Sequence, residues 1–203
     1  MNELVIFPPV ADGADGAGSP FAQLVAAFRT LQDRFVSAAV PDEEIEEFTS
    51  TLTALGDRLK LWEVDEANRV SGRRLDVPGR GSVLLPPYVV DGHDDDSQHG
   101  RITFSQFHLG GGAAAHGGTI PLFFDDVCGR MVGNRNLDGP WSRTAYLKVD
   151  YRKITPLDVE LEWEVRVDRV EGRKTFVRGS LTHGEHRLAE VDCLMVRLLP
   201  GQP

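Results

Sequence analysis

The sequence predicts an α+β fold: an antiparallel sheet of about six strands wrapped around one long central helix, preceded by an N-terminal helical hairpin. Three observations predict it. Residues 117–132 carry apolar side chains around nearly the whole helical circumference (Ile120, Leu122, Phe123, Phe124, Val127, Cys128, Met131), and a helix apolar all round is a buried helix. From Trp141 onward the chain alternates apolar and polar residues with a period of two, the signature of strands with one wet face. Residues 21–62 instead space their apolar residues by threes and fours, as amphipathic helices do. A sheet around the apolar helix is the simplest way to bury it.

Taken in order, residues 8–20 are rich in Gly, Pro, Ala and Asp and form a flexible lead-in. Ser19 and Pro20 then serve as cap and first-turn residue of a helix bearing Phe21, Leu24, Val25, Phe28, Leu31 and Phe35. Pro41-Asp42-Glu43-Glu44 starts a second helix, its acids favoured by the positive end of the helix dipole. Its apolar positions (Ile45, Phe48, Leu52, Leu55, Leu59, Trp62) form a narrow stripe. These helices are expected to pack on each other or onto a larger body. Residues 1–75 are thus an N-terminal extension and 76–203 the main domain.

Val83–Val90 and Arg101–Phe107 read as strands, separated by the acidic loop Asp91–Asp96, a solvated turn by preference over a cation site. Gly133-Asn134-Arg135-Asn136 ends the central helix. Four strands follow, covering 141–152, 159–168, 174–182 and 187–199. Turns at Glu171-Gly172-Arg173 and His183-Gly184-Glu185 make the later ones antiparallel neighbours.

Composition bounds the function. A chain of 203 residues buries a core without disulfides or metal. A net charge of -9 argues against a nucleic-acid binder. Cys128 and Cys193 lie in apolar runs and are expected to be buried, reduced thiols, with no metal-ligand spacing around them. The chain opens without a basic leader segment and contains no apolar run of membrane-spanning length, so the expected location is the cytoplasm.

Chemistry concentrates on the central helix. Asp125 lies in its apolar middle, where an ionised carboxylate has to be paired, hydrogen-bonded or employed. Asp126 has Arg130 four residues on as a helical ion-pair partner, whereas Asp125 has Cys128 and Gly129 at those positions. Asp125 is therefore the candidate acid and Asp126 a structural or interfacial one. At the helix start, Gly117-Gly118 would let a substrate approach free N–H groups closely.

Four stretches in this order resemble the hotdog fold, and more narrowly the acyl-CoA thioesterases of the phenylacetate-pathway (PaaI) and 4-hydroxybenzoyl-CoA thioesterase group. They are His116-Gly117-Gly118, Asp125 nine residues after the histidine, residues 144–156 and Gly172-Arg173-Lys174, with Leu188–Val191 fitting the last strand. The resemblance covers about residues 83–199. It implies hydrolysis of an acyl-CoA thioester to free acid and CoA without cofactor or metal. The Gly117 N–H, helped by Gly118, would hold the carbonyl, and Asp125 would act as general base or nucleophile. Thr144 aligns with a residue that orients the attacking water in some relatives, and is otherwise an ordinary strand threonine. His116 would shape the turn or touch substrate rather than transfer protons. Arg152, Lys153, Arg173 and Lys174 form a basic set suited to the phosphates of coenzyme A. The resemblance further implies a homodimer or dimer of dimers with the site at the subunit interface, and neither nucleic-acid nor membrane partners. One departure stands out. Some relatives carry an Asn or Gln about six residues before the histidine, where this chain has only Leu109–Ala115 and no side-chain amide. That leaves a non-catalytic acyl-CoA-binding hotdog as the alternative, with a dehydratase or hydratase ranked last.

Overall fold

In a computed structural model of the chain, residues 18–135, 141–199 and 201–202 are described. The lead-in before Gly18 and the expected helix stop at Asn136 lie outside them. Helix α1 (Pro20–Ser37) starts as the sequence dictates: the Ser19 hydroxyl accepts the Ala22 N–H at 3.2 Å, and Pro20 opens the first turn. It packs onto the body through Ala22 and Val25, against Val77. Helix α2 (Asp42–Lys60) carries three acids in its first turn and two bases in its last, but none of its residues is buried. Both N-terminal helices are present, and of the two arrangements expected α1 takes the second, docking onto the body through the segment after residue 76, while α2 buries nothing.

The main sheet has six antiparallel strands in the order β1-β2-β6-β7-β8-β5. They are β1 (Val89–His93), β2 (Ser97–Thr103), β5 (Ser142–Tyr151), β6 (Glu160–Glu171), β7 (Lys174–His183) and β8 (His186–Arg197); β3 (Leu109–Gly111) and β4 (Ala114–Ala115) form a separate small hairpin. Strand β6 follows its sequence pattern, burying Leu161, Trp163 and Val165 while exposing Glu160, Glu162, Glu164 and Arg166. Helix α3 (Thr119–Arg135) lies on the inner face and buries Ile120, Phe123, Phe124, Val127, Cys128, Met131 and Val132. One core joins these residues to Ile102, Leu161, Val177, Leu181 and Cys193 of the sheet. Both cysteines are free and buried.

Two strand boundaries differ from expectation. The first strand begins at Val89 rather than Val83, because Pro86-Pro87 cannot supply ladder N–H groups. Its partner covers Ser97–Thr103 rather than 101–107, so Asp91–His93 belong to a strand and only residues 94–96 turn. Three of the four acids there are occupied: Asp91 pairs with Arg101, Asp94 accepts the Asp96 and Ser97 N–H groups, and Asp96 pairs with Arg135. That last ion pair, with buried Met131 and Val132, carries α3 past Gly133, where the sequence suggested a stop.

Candidate active site

The start of α3 is built by residues 116–118. Gly118 is the last residue before the helix, and its carbonyl accepts the Leu122 N–H at 3.4 Å. Its own N–H donates to Nδ1 of His116 at 3.0 Å, while the Gly117 carbonyl accepts the Tyr151 hydroxyl at 2.5 Å. These two atoms belong to one peptide unit, which is held at its nitrogen by His116 and at its oxygen by Tyr151. Among the described residues the Gly117 N–H has no such partner and stays available at the positive end of the helix. The Gly118 N–H, by contrast, is occupied by His116. With Nδ1 accepting, the neutral His116 ring carries its proton on Nε2.

Asp125 occupies a different setting from the one its neighbours suggest. It is exposed in this chain, on the side of α3 that faces edge strand β5. The Thr144 hydroxyl donates to its Oδ1 at 2.7 Å, and lies 3.4 Å from the Met195 sulfur. A bulge makes this contact. Thr144 pairs with Met195 but Tyr146 pairs with Leu194, so Ala145 is the extra residue. A bulge reverses which side chains face inward. Thr144 can then share the inner face with Leu147 and Val149, which pack against the core. Strict alternation would have turned Thr144 away.

Asp126 is structural, as expected, but its partner is not Arg130. It pairs with Arg80 and accepts the Tyr88 hydroxyl at 2.5 Å. Arg80 reaches it from a left-handed turn in which Gly79, Arg80 and Gly81 have φ of 59°, 58° and 69°. An arginine flanked by two glycines after Pro78 is the sequence signal for this turn, although nothing local says where the side chain goes. Burial, with the charge of Asp126, raises the Tyr88 phenol above its ordinary value.

The basic set is divided by the sheet. Arg152 and Lys153 follow β5 near Gly117, while Arg173 sits in the β6–β7 turn and Lys174 opens β7, paired with Val196 at the opposite end. Arg152 is paired with Glu190 at 2.6 Å and Lys153 lies 2.9 Å from Nδ1 of His186. Arg173 donates to the Arg197 carbonyl at 2.8 Å. One chain therefore does not gather the four cations at one place.

The absent amide also has a structural reason. A Cβ on Gly110, six residues before His116, would lie 2.6 Å from the His116 Cα. No side chain fits there without displacing the turn that carries Gly117. Tyr151, which braces that turn, was not singled out by the sequence; its place near the end of an exposed edge strand gave no signal.

Comparison with known proteins agrees with this architecture. Residues 112–190 match the family model described as Thioesterase superfamily. A crystal structure of a thioesterase superfamily protein shares 27% identity, with 88% of this chain and 96% of that chain covered at a TM-score of 0.73. A phenylacetic acid degradation-related protein from Ralstonia eutropha JMP134 shares 19% identity over 54% of this chain and 83% of its own, at a TM-score of 0.50. A protein from Streptococcus mutans UA159, solved bound to acetyl CoA, shares 18% identity over 55% and 88%, also at 0.50. At those identities the last two attest the fold alone. No curated protein matches the chain. No helix among the described residues is long and apolar enough to cross a membrane. Sheet, central helix and family match thus agree: the chain has the hotdog arrangement of a six-stranded sheet around one helix, and its residues 112–190 are similar to the thioesterase superfamily.

Proposed function

We propose that this protein hydrolyses an acyl-CoA thioester to free acid and CoA. The observation that carries the reading is the Asp125–Thr144 pair, an exposed carboxylate oriented by a hydroxyl beside the free edge of β5. The Gly117 N–H at the head of α3 receives the thioester oxygen, and losing such a donor typically costs about 3–4 kcal/mol of transition-state stabilisation. Asp125 acts as general base on water or as nucleophile, with Thr144 fixing its orientation.

Separation along the helix adds a condition. Gly117 and Asp125 are eight residues apart, which is roughly 12 Å of axial rise. One thioester carbonyl cannot touch both within one chain. The donor and the acid therefore serve the same substrate from two subunits, and the working unit is a homodimer or a dimer of dimers. Residues 76–203 form the catalytic domain and residues 1–75 its extension. Arg152 and Lys153, close to Gly117, are the cations positioned for the phosphates of coenzyme A, while Arg173 and Lys174 reach them only from a neighbouring subunit.

A non-catalytic acyl-CoA binder is the second reading, favoured by the lack of a side-chain amide at Gly110. A screen of short, long and aromatic acyl-CoA esters for CoA release, with Asp125→Ala alongside, separates the two. Turnover lost in the variant supports the enzyme; binding without turnover in the native protein sinks it.

A further inference from the structure

Helix α2 spans 19 residues and buries none of them. Its apolar residues Ile45, Phe48, Leu52, Leu55 and Leu59 are all exposed, and Trp62, just beyond the helix, is 80% exposed. They step by three and four without exception. A stripe this narrow, confined to two positions per seven residues, is the seam of a two-helix coiled coil rather than the broader face a helix lays on a globular body. The helix also contains Gly56 and three threonines, poor material for a helix held up by propensity alone. The outer face of its own sheet is no cover, since β6 presents Glu160, Glu162, Glu164 and Arg166 there.

Charge selects the occupant. Asp42, Glu43, Glu44, Glu46 and Glu47 crowd the first half of α2 without a base among them, and Arg58 and Lys60 lie at its end. We propose that α2 pairs with α2 of a second copy of this chain in an antiparallel coiled coil. In that arrangement Phe48 faces Leu59, Leu52 faces Leu55 and Ile45 faces Trp62 of the other copy. Glu44 and Arg58 flank the seam on one side and come opposite each other twice, once at each end. A parallel pair would instead set ten acids side by side within two turns, with the helix dipoles aligned against each other. This contact is separate from any pairing of the sheets and does not depend on the activity proposed above.

Cysteine cross-linking of the full chain tests it. Ile45→Cys and Trp62→Cys proteins, co-expressed with different mass tags and mildly oxidised, should give chiefly the mixed 45–62 linkage; native Cys128 and Cys193 are fully buried and stay out of the reaction. Glu44→Arg should lower that yield roughly fivefold, the scale of two exposed ion pairs turned into repulsions, and adding Arg58→Glu should restore it. Linkage of 45 to 45 and 62 to 62 would overturn the antiparallel arrangement. No linkage in proteins whose helical circular dichroism is native would overturn the self-pairing altogether and leave α2 to another partner.

Discussion

Replacing Thr144 with valine isolates the contact on which the catalytic reading rests. Valine keeps the β-branched shape that strand β5 favours and removes only the hydroxyl that donates to Asp125 Oδ1 at 2.7 Å. A hydrogen bond to a charged acceptor contributes about 1.5–3 kcal/mol. Both side chains are exposed in the single chain, so little of that shows as folding stability. In a site closed by substrate and a partner subunit the bond strengthens, and its loss falls on the reacting carboxylate. With each 1.36 kcal/mol worth a factor of ten in rate, kcat should fall about 10- to 100-fold. KM should stay nearly constant, because the bond orients the attacking group rather than the substrate. Thr144→Ser retains the donor and should keep kcat within about threefold. The assay is steady-state CoA release, with thermal melting to verify that both variants fold. A Thr144→Val protein that keeps kcat within about twofold of native would refute the claim that this hydroxyl positions Asp125.

Other perturbations follow from the same geometry. Tyr151→Phe frees the Gly117 carbonyl and should lower kcat about two- to tenfold, a hydrogen bond of roughly 0.5–1.5 kcal/mol; unchanged kinetics would show that the brace is idle. Arg80→Ala takes the cation from Asp126, whose side chain is only 10% exposed and keeps just the Tyr88 hydroxyl, and should cost about 2–4 kcal/mol, lowering Tm by roughly 5–15 °C in a melting scan. An unaltered melt would remove Arg80 from the account of α3. Burial holds the His108 imidazole below its ordinary value, so the folded state binds this proton less readily than the unfolded one. Its contribution is present above about pH 6.5 and is lost as pH falls below that, when protonation also takes the Nδ1 acceptor from the Ser105 N–H. Denaturant titrations from pH 7.5 to 5 should show that loss in the native protein and a smaller slope in His108→Gln; equal slopes would contradict it.

What the sequence disclosed was periodic or local. The alternation of β6, the cap of α1 at Ser19 and the apolar circumference of α3 are repeated or near-neighbour signals, and each reappears in the structure. The features that escaped it are long-range or break the period. A single extra residue at Ala145 reverses the facing of Thr144, and no composition marks it. Arg80 meets Asp126 across 46 residues, so the nearer Arg130 was the better guess on helical spacing alone. Asp125 was legible as the odd acid in an apolar helix, but not as an exposed one. Side chains on a helix edge look the same in sequence whether a sheet covers them or a second subunit would.

The central claim is that the carbonyl donor and the acid of one site come from different subunits. Asp125→Ala and Gly117→Pro, the latter removing the N–H in question, should each abolish CoA release as pure proteins, with thermal melting to verify that both fold. Co-expressed, they form mixed dimers in which one of two sites has lost both groups and the other neither. A random mixture should then recover about a quarter of native activity, as two-fold symmetry requires. Mixed dimers demonstrated by mass that release no CoA would contradict the account.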